Sequence, residues 1–132
     1  MKKGLLLNSE VSAVISQMGH TDMLTLGDCG LPINKTKRID LALKRDVPGI
    51  LETLDAVLSE LYVERVILSQ EIKSTSSEMH QAILSRFSDQ VKIEYVAHED
   101  FKKLTEDSKA AIRTGECTSY ANMILISGVA FK

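Results

Sequence analysis

The chain has 132 residues, a formal net charge of −2 and a 44% hydrophobic fraction, the profile of one ordinary domain over residues 1–132 that buries a core without staples. Such a balance offers no basic stripe for nucleic acid or a membrane surface, and no apolar run approaches the ~18 residues that span a bilayer. Leu5-Leu6-Leu7 is too short for the apolar core of a signal peptide, and Cys29 and Cys117 lack a disulfide framework, so a cytoplasmic protein with free thiols is expected.

After that opening run, Asn8 or Ser9 reads as the cap of a helix, with Glu10 placed against its positive end. Val11, Val14, Ile15 and Met18 follow at helical spacing, and Gly19 fits the position after the helix. His20 therefore falls on an exposed corner leading into an apolar strand at 23–27. Beyond the strand, Gly27 and Gly30 frame Asp28 and Cys29, and Pro32 holds Leu31 extended. A strand that delivers a carboxylate into a glycine-framed turn builds a small polar pocket. The same residues also read as an ordinary turn with a solvated Asp28. His20 reaches such a pocket only if the chain folds back over the strand.

Residues 33–46 read as a charged surface loop in which Ile39, Asp40 and Leu41 pair briefly. Pro48 is expected in the first turn of a helix whose apolar stripe is Ile50, Leu51, Leu54, Val57, Leu58 and Leu61. Val63 to Leu68 is β-branched and reads as a buried strand. A helix starting between Ser74 and Ser77 turns Met79, Ile83, Leu84 and Phe87 inward and leaves His80 on the surface. Val91 to Val96 alternates as a strand with one wet face. His98, Glu99 and Asp100 open a short helix carrying Phe101 and Leu104, and Ala110 to Ile112 is a small strand before the turn Arg113–Glu116. Met123–Ile126 and Val129–Phe131 form a last strand interrupted at Ser127-Gly128, apolar enough to lie mid-sheet. Strands alternating with helices specify an α/β fold, helices packed on a mostly parallel sheet, with ligands at the strand ends.

The chemistry on offer is polar and neutral to acidic in character. His20 can act as a general acid or base, or as a loop histidine that caps a helix; His98 is a ligand-binding or a helix-opening residue. Cys29 has no neighbouring His to activate it and reads as a small buried thiol. No CxxC, HxxxH or HExxH pair supports a metal, and no GxGxxG or GxxxxGK[ST] loop supports a nucleotide. Hydrogen-bonding groups of this kind suit a hydroxyl-rich neutral ligand.

Met1-Lys2-Lys3-Gly4, Leu7-Asn8-Ser9, Gly19-His20-Thr21-Asp22, Asp28-Cys29-Gly30-Leu31-Pro32, Ile112-Arg113-Thr114-Gly115-Glu116 and Tyr120-Ala121-Asn122 occur in this order. Together they closely resemble the ribose pyranase and fucose mutarotase family, end to end. The resemblance implies an isomerase that interconverts the β-pyranose and β-furanose forms of D-ribose without cofactor or metal. It assigns proton donation to His20 and sugar binding to Asp28, His98, Tyr120 and Asn122. It also implies a homo-oligomer, often a decameric ring, with the sugar in a cleft between subunits. His20 and Asp28 of one chain are then expected to meet Tyr120 and Asn122 of a neighbour, and packing between subunits to cover Phe131. Two residues depart from the pattern: Cys29 stands where Ala is usual, which counts against a thiol mechanism, and Ser119 where Pro is usual. A fucose mutarotase and a non-catalytic sugar-binding or transport-accessory protein are the alternatives.

Overall fold

The computed structural model describes residues 1–132 and is organised by a six-stranded sheet in the order β2-β5-β1-β6-β3-β4. The strands are β1 (Met23–Gly27), β2 (Arg38–Asp40), β3 (Val63–Ser69), β4 (Lys92–Val96), β5 (Ala110–Arg113) and β6 (Met123–Ser127). Five of them run the same way; β6 lies between β1 and β3 and runs antiparallel to both. The alternating α/β reading therefore holds, and the last strand is the central, fully buried one.

Side chains alternate across the sheet with the two-residue period of a strand. Leu24, Leu26, Val66, Leu68, Met123 and Leu125 join the larger core on one face. That core is closed by α1 (Ser9–Gln17), α2 (Ile50–Leu58), α3 (Ile72–Thr75) and α4 (Ser77–Leu84), through residues such as Val11, Val14, Ile50, Leu54, Ile72 and Ile83. On the opposite face Ile67, Ile124 and Ile126 pack with Leu31 and Phe101 of α5 (His98–Leu104). Phe101 has no exposed surface, and burying such a side chain contributes about 1.5–3 kcal/mol. It anchors the short helix that carries His98.

Several local expectations are corrected. Pro48 precedes the cap of α2 rather than entering its first turn, because Gly49 is the N-cap. There the Gly49 amide donates to Glu52 and the Ile50 amide to the buried carboxylate of Glu116 (2.8 and 2.9 Å). The helix expected around Ser74–Phe87 is two helices broken at Ser76, whose backbone leaves the helical region (φ −138°, ψ 57°), and Phe87 lies beyond them. The segment 129–131 adds no strand; Phe131 is 81% exposed. Gly19 follows α1 without a left-handed φ; that conformation falls on Thr21 instead (φ 72°).

His80 is buried, at 8% exposure, and not on the surface. Its Nε2 lies 2.6 Å from the hydroxyl of Tyr95, which donates to the neutral ring, and Lys73 Nζ sits 3.8 Å above the Tyr95 ring. Burial, and then the Lys73 charge, holds the imidazole below its ordinary value, while burial raises the Tyr95 phenol. An unfolded chain therefore binds a proton at His80 more readily than the folded one. Stability from this site is complete above the unfolded pKa of about 6.5 and is lost as pH falls through the lower folded value. Thermal melts from pH 7.5 downward are expected to show Tm falling below about pH 6.5, with the fall blunted in His80→Gln.

Candidate active site

The carboxyl ends of the five parallel strands and the entrance to β6 lie along one edge, where ligands sit in open α/β sheets. Asp28 follows β1 there. Its amide donates to Asn122 Oδ1 at 2.7 Å, and its Oδ2 accepts from Asn122 Nδ2 at 3.0 Å. Asp28 Oδ1 accepts from the Gly30 amide at 2.9 Å, which closes the turn. Gly27 is needed just before it because an added Cβ would meet Leu31 Cδ2 at 2.7 Å.

Two residues from Asn122, Tyr120 adopts a left-handed backbone (φ 61°). Such a conformation costs of order 1–3 kcal/mol in a bulky residue and is retained where surroundings impose it. Its ring meets His98 edge-on, with centroids 5.0 Å apart at 78°. His98 opens α5 directly after β4. Its Nδ1 lies 2.7 Å from Ser69 Oγ, its amide donates to Glu71 at 3.1 Å, and its ring stacks on Phe101. Asp28, Asn122, Tyr120 and His98 thus form one row across β1, β6 and β4.

His20 is elsewhere. It precedes β1, so the five residues of that strand, rising about 3.3 Å each, separate it from Asp28 by roughly 16 Å. Its Nε2 donates to both oxygens of Glu64 at 3.0 Å, and its side chain remains 52% exposed. The chain does not fold back over the strand, and His20 caps no helix. The division expected from sequence is corrected: Asp28 and Asn122 belong to one cluster within one chain, and only His20 stands apart. Thr21, left-handed and held by its amide on Ser127 O (2.8 Å), fixes the corner that presents His20.

Sequence reasoning missed three residues. Glu64 is a carboxylate at the start of an apolar strand, a polar interruption that marks it. Glu116 does no exposed chemistry; besides capping α2 it accepts from Thr118 Oγ1 at 2.7 Å and so braces the segment leading to Tyr120. Ser69, whose hydroxyl meets His98, ends β3 as a buried polar residue. The motif Arg113–Glu116 has a structural logic throughout. Thr114 Oγ1 donates to Gly27 O at 2.8 Å, and a Cβ on Gly115 would collide with the carbonyl of Lys44.

Cys29 is half-exposed rather than buried. Its Sγ lies 3.8 Å from Cys117 Sγ, and both thiols are free. The hydrogen bond to Cys117, with burial, pushes the Cys29 thiol above its usual range. The two cysteines border a recess of about 290 Å³ with Asp28, Arg45 and Glu116. No three His, Cys, Asp or Glu side chains gather as a metal site would require, and no helix is long and apolar enough to cross a membrane.

The sequence profile of the RbsD / FucU transport protein family matches residues 1–130. The D-ribose pyranase of Clostridium perfringens is 55% identical over 132 residues, covering 99% of this chain and all of that protein. The D-ribose pyranase of Actinobacillus succinogenes is 51% identical, again over 99% of this chain and all of the relative. Bacillus subtilis RbsD, solved in complex with D-ribose, superposes with a TM-score of 0.94 at 45% identity, covering 99% of this chain and all of that one. The fucose mutarotase of Streptococcus pneumoniae, solved with L-fucose, shares the fold (TM-score 0.81) at 24% identity, covering 99% and 100% of the two chains.

Proposed function

Because the chain belongs to the RbsD / FucU transport protein family, we propose that it is an isomerase interconverting the β-pyranose and β-furanose forms of D-ribose. The observation that carries this reading is the row Asp28–Asn122–Tyr120–His98 at the carboxyl edge of the sheet. It stands in a chain half identical, over its full length, to D-ribose pyranases.

Interconversion opens the hemiacetal and recloses it through a different hydroxyl. A proton goes onto the ring oxygen and one leaves the anomeric hydroxyl; no electron or phosphate moves, so the reaction calls for no cofactor. His20 is the proton donor, a role for which positioned acid–base catalysis contributes about 10²–10⁴-fold. Glu64, by accepting from Nε2, fixes the ring and leaves Nδ1 free. Asp28, Asn122, Tyr120 and His98 hold the sugar hydroxyls, and a wrong sugar leaves those polar groups unpaired.

The distance between His20 and the row supports a site shared between subunits. Both parts of the site meet only if the His20 end of one subunit abuts the Asp28 end of the next, a head-to-tail contact of the kind that closes into rings. Exposed apolar residues include Tyr62, whose carbonyl accepts from Gly128 just past the end of β6 that holds the Thr21 corner, Leu43, which lines a recess with Cys29, and Val129 and Phe131 in the last residues of the chain. A homo-oligomer, in line with the decameric ring of the sequence reading, covers them. Free thiols and the sugar substrate fit a single cytoplasmic domain over residues 1–132.

Saturation transfer between the anomeric proton signals of ribose tests the activity. EDTA-treated protein is expected to raise pyranose–furanose exchange well above the buffer rate. Ribose binding without faster exchange would favour the sugar-binding alternative. Acceleration of L-fucose anomer exchange alone would favour a fucose mutarotase.

A further inference from the structure

The sulfurs of Cys29 and Cys117 touch at 3.8 Å, although 88 positions separate them in the chain. Their backbones are already tied: the Cys29 amide donates to Glu116 O at 2.9 Å, and Arg113 Nε donates to Cys29 O at 3.1 Å. The Cys117 amide is held in turn by Asp46 Oδ1 at 3.1 Å. Both residues reach solvent, Cys29 in part and Cys117 more openly. A disulfide needs the sulfurs at about 2.05 Å, so closure by ~1.8 Å, shared between side-chain rotation and a small backbone shift, suffices.

We infer that Cys29 and Cys117 are a reversible oxidation site whose disulfide pulls the Asp28–Gly30 turn toward the Cys117–Ser119 segment and lowers the activity of the adjoining sugar site. The oxidant is a peroxide. One thiol, as thiolate, attacks a peroxide oxygen, which breaks the O–O bond and leaves a sulfenic acid and one water. The second sulfur then attacks the sulfenic sulfur and expels the other oxygen as water, so the pair loses two electrons and two protons. A dithiol reductant returns them by exchange.

The route to the sugar site is short. Cys29 adjoins Asp28, whose bonds to Asn122 are 2.7 and 3.0 Å, and Cys117 lies three residues before Tyr120. A shift of 1 Å takes such bonds past their useful range and misplaces bound hydroxyls, an error that costs up to about 10²-fold in rate. A loss of roughly tenfold is expected from a shift only partly transmitted.

The test treats the assembled protein with hydrogen peroxide and then with dithiothreitol, and it uses three readouts. Peptide mapping is expected to find Cys29 joined to Cys117 within one chain. The Asn122 side-chain amide signals in NMR should move on oxidation and return on reduction. The ribose exchange rate should fall about tenfold and recover. Cys29→Ala and Cys117→Ser should each keep their own untreated rate through the same treatment. Thiols that stay open to alkylation, a bond between chains, unmoved Asn122 signals or single-thiol variants that lose as much rate would each overturn the inference. The rate readout rests on the proposed function. If the untreated protein leaves ribose exchange at the buffer rate, that function fails, while the peptide map and the Asn122 signals still decide the disulfide and its reach.

Discussion

His20→Ala is expected to slow ribose ring exchange by about 10²-fold or more while ribose affinity changes far less. The separation follows from the structure. His20 makes no contact with the row that holds hydroxyls; its ring nitrogen is engaged by Glu64 at 3.0 Å, and its side chain projects from a strained corner at the far end of β1. Removing it takes away the proton donor and leaves Asp28, Asn122, Tyr120 and His98 in place. Asp28→Asn should behave in the opposite sense and mainly weaken binding, because it removes the carboxylate that accepts from Asn122 and Gly30. Exchange rates measured across a ribose titration separate the two effects. Near-normal turnover in His20→Ala would transfer the proton-donor role to His98, the imidazole within the row.

A mixture of two inactive variants is expected to recover activity. His20→Ala chains keep an intact row, and Asn122→Ala chains keep an intact His20. Within one chain the two positions stand at opposite ends of a strand, so neither variant repairs the other unless subunits meet head to tail. After dissociation and random reassembly in equal amounts, about one contact in four pairs an intact His20 with an intact row, given a head-to-tail ring. Roughly a quarter of the unmodified rate should return. Asn122→Ala also removes two bonds to Asp28, so its folding must be verified by sedimentation and thermal melting before mixing. A fully active monomer, or correctly assembled mixed rings without any recovered rate, would refute the shared site.

Much of the fold was legible because strand and helix periods write themselves into neighbouring residues. Met23–Gly27, Val63–Ser69 and Lys92–Val96 stand close to where alternation and β-branching put them, and continuous apolar character marked β6 as central. The failures have local causes. His80 shares its helix with polar residues and so resembles a surface position, yet its partner Tyr95 lies on another element. Val129 to Phe131 is apolar enough for a strand, but in the structure it finds no ladder partner. Cys29 looked like a buried thiol because the sulfur it faces is far away in sequence.

The sequence by itself determined the α/β class, the order of the elements and the residue types suited to a neutral polyhydroxyl ligand, since all of these depend on near neighbours. Which of those residues share a site was decided by the tertiary structure alone. Sheet order sets Asp28 beside Asn122 and, through Tyr120, within reach of His98, and strand direction carries His20 to the other edge. Hydrogen-bond pairing between strands is non-local, and no spacing along the chain records that β6 runs back between β1 and β3.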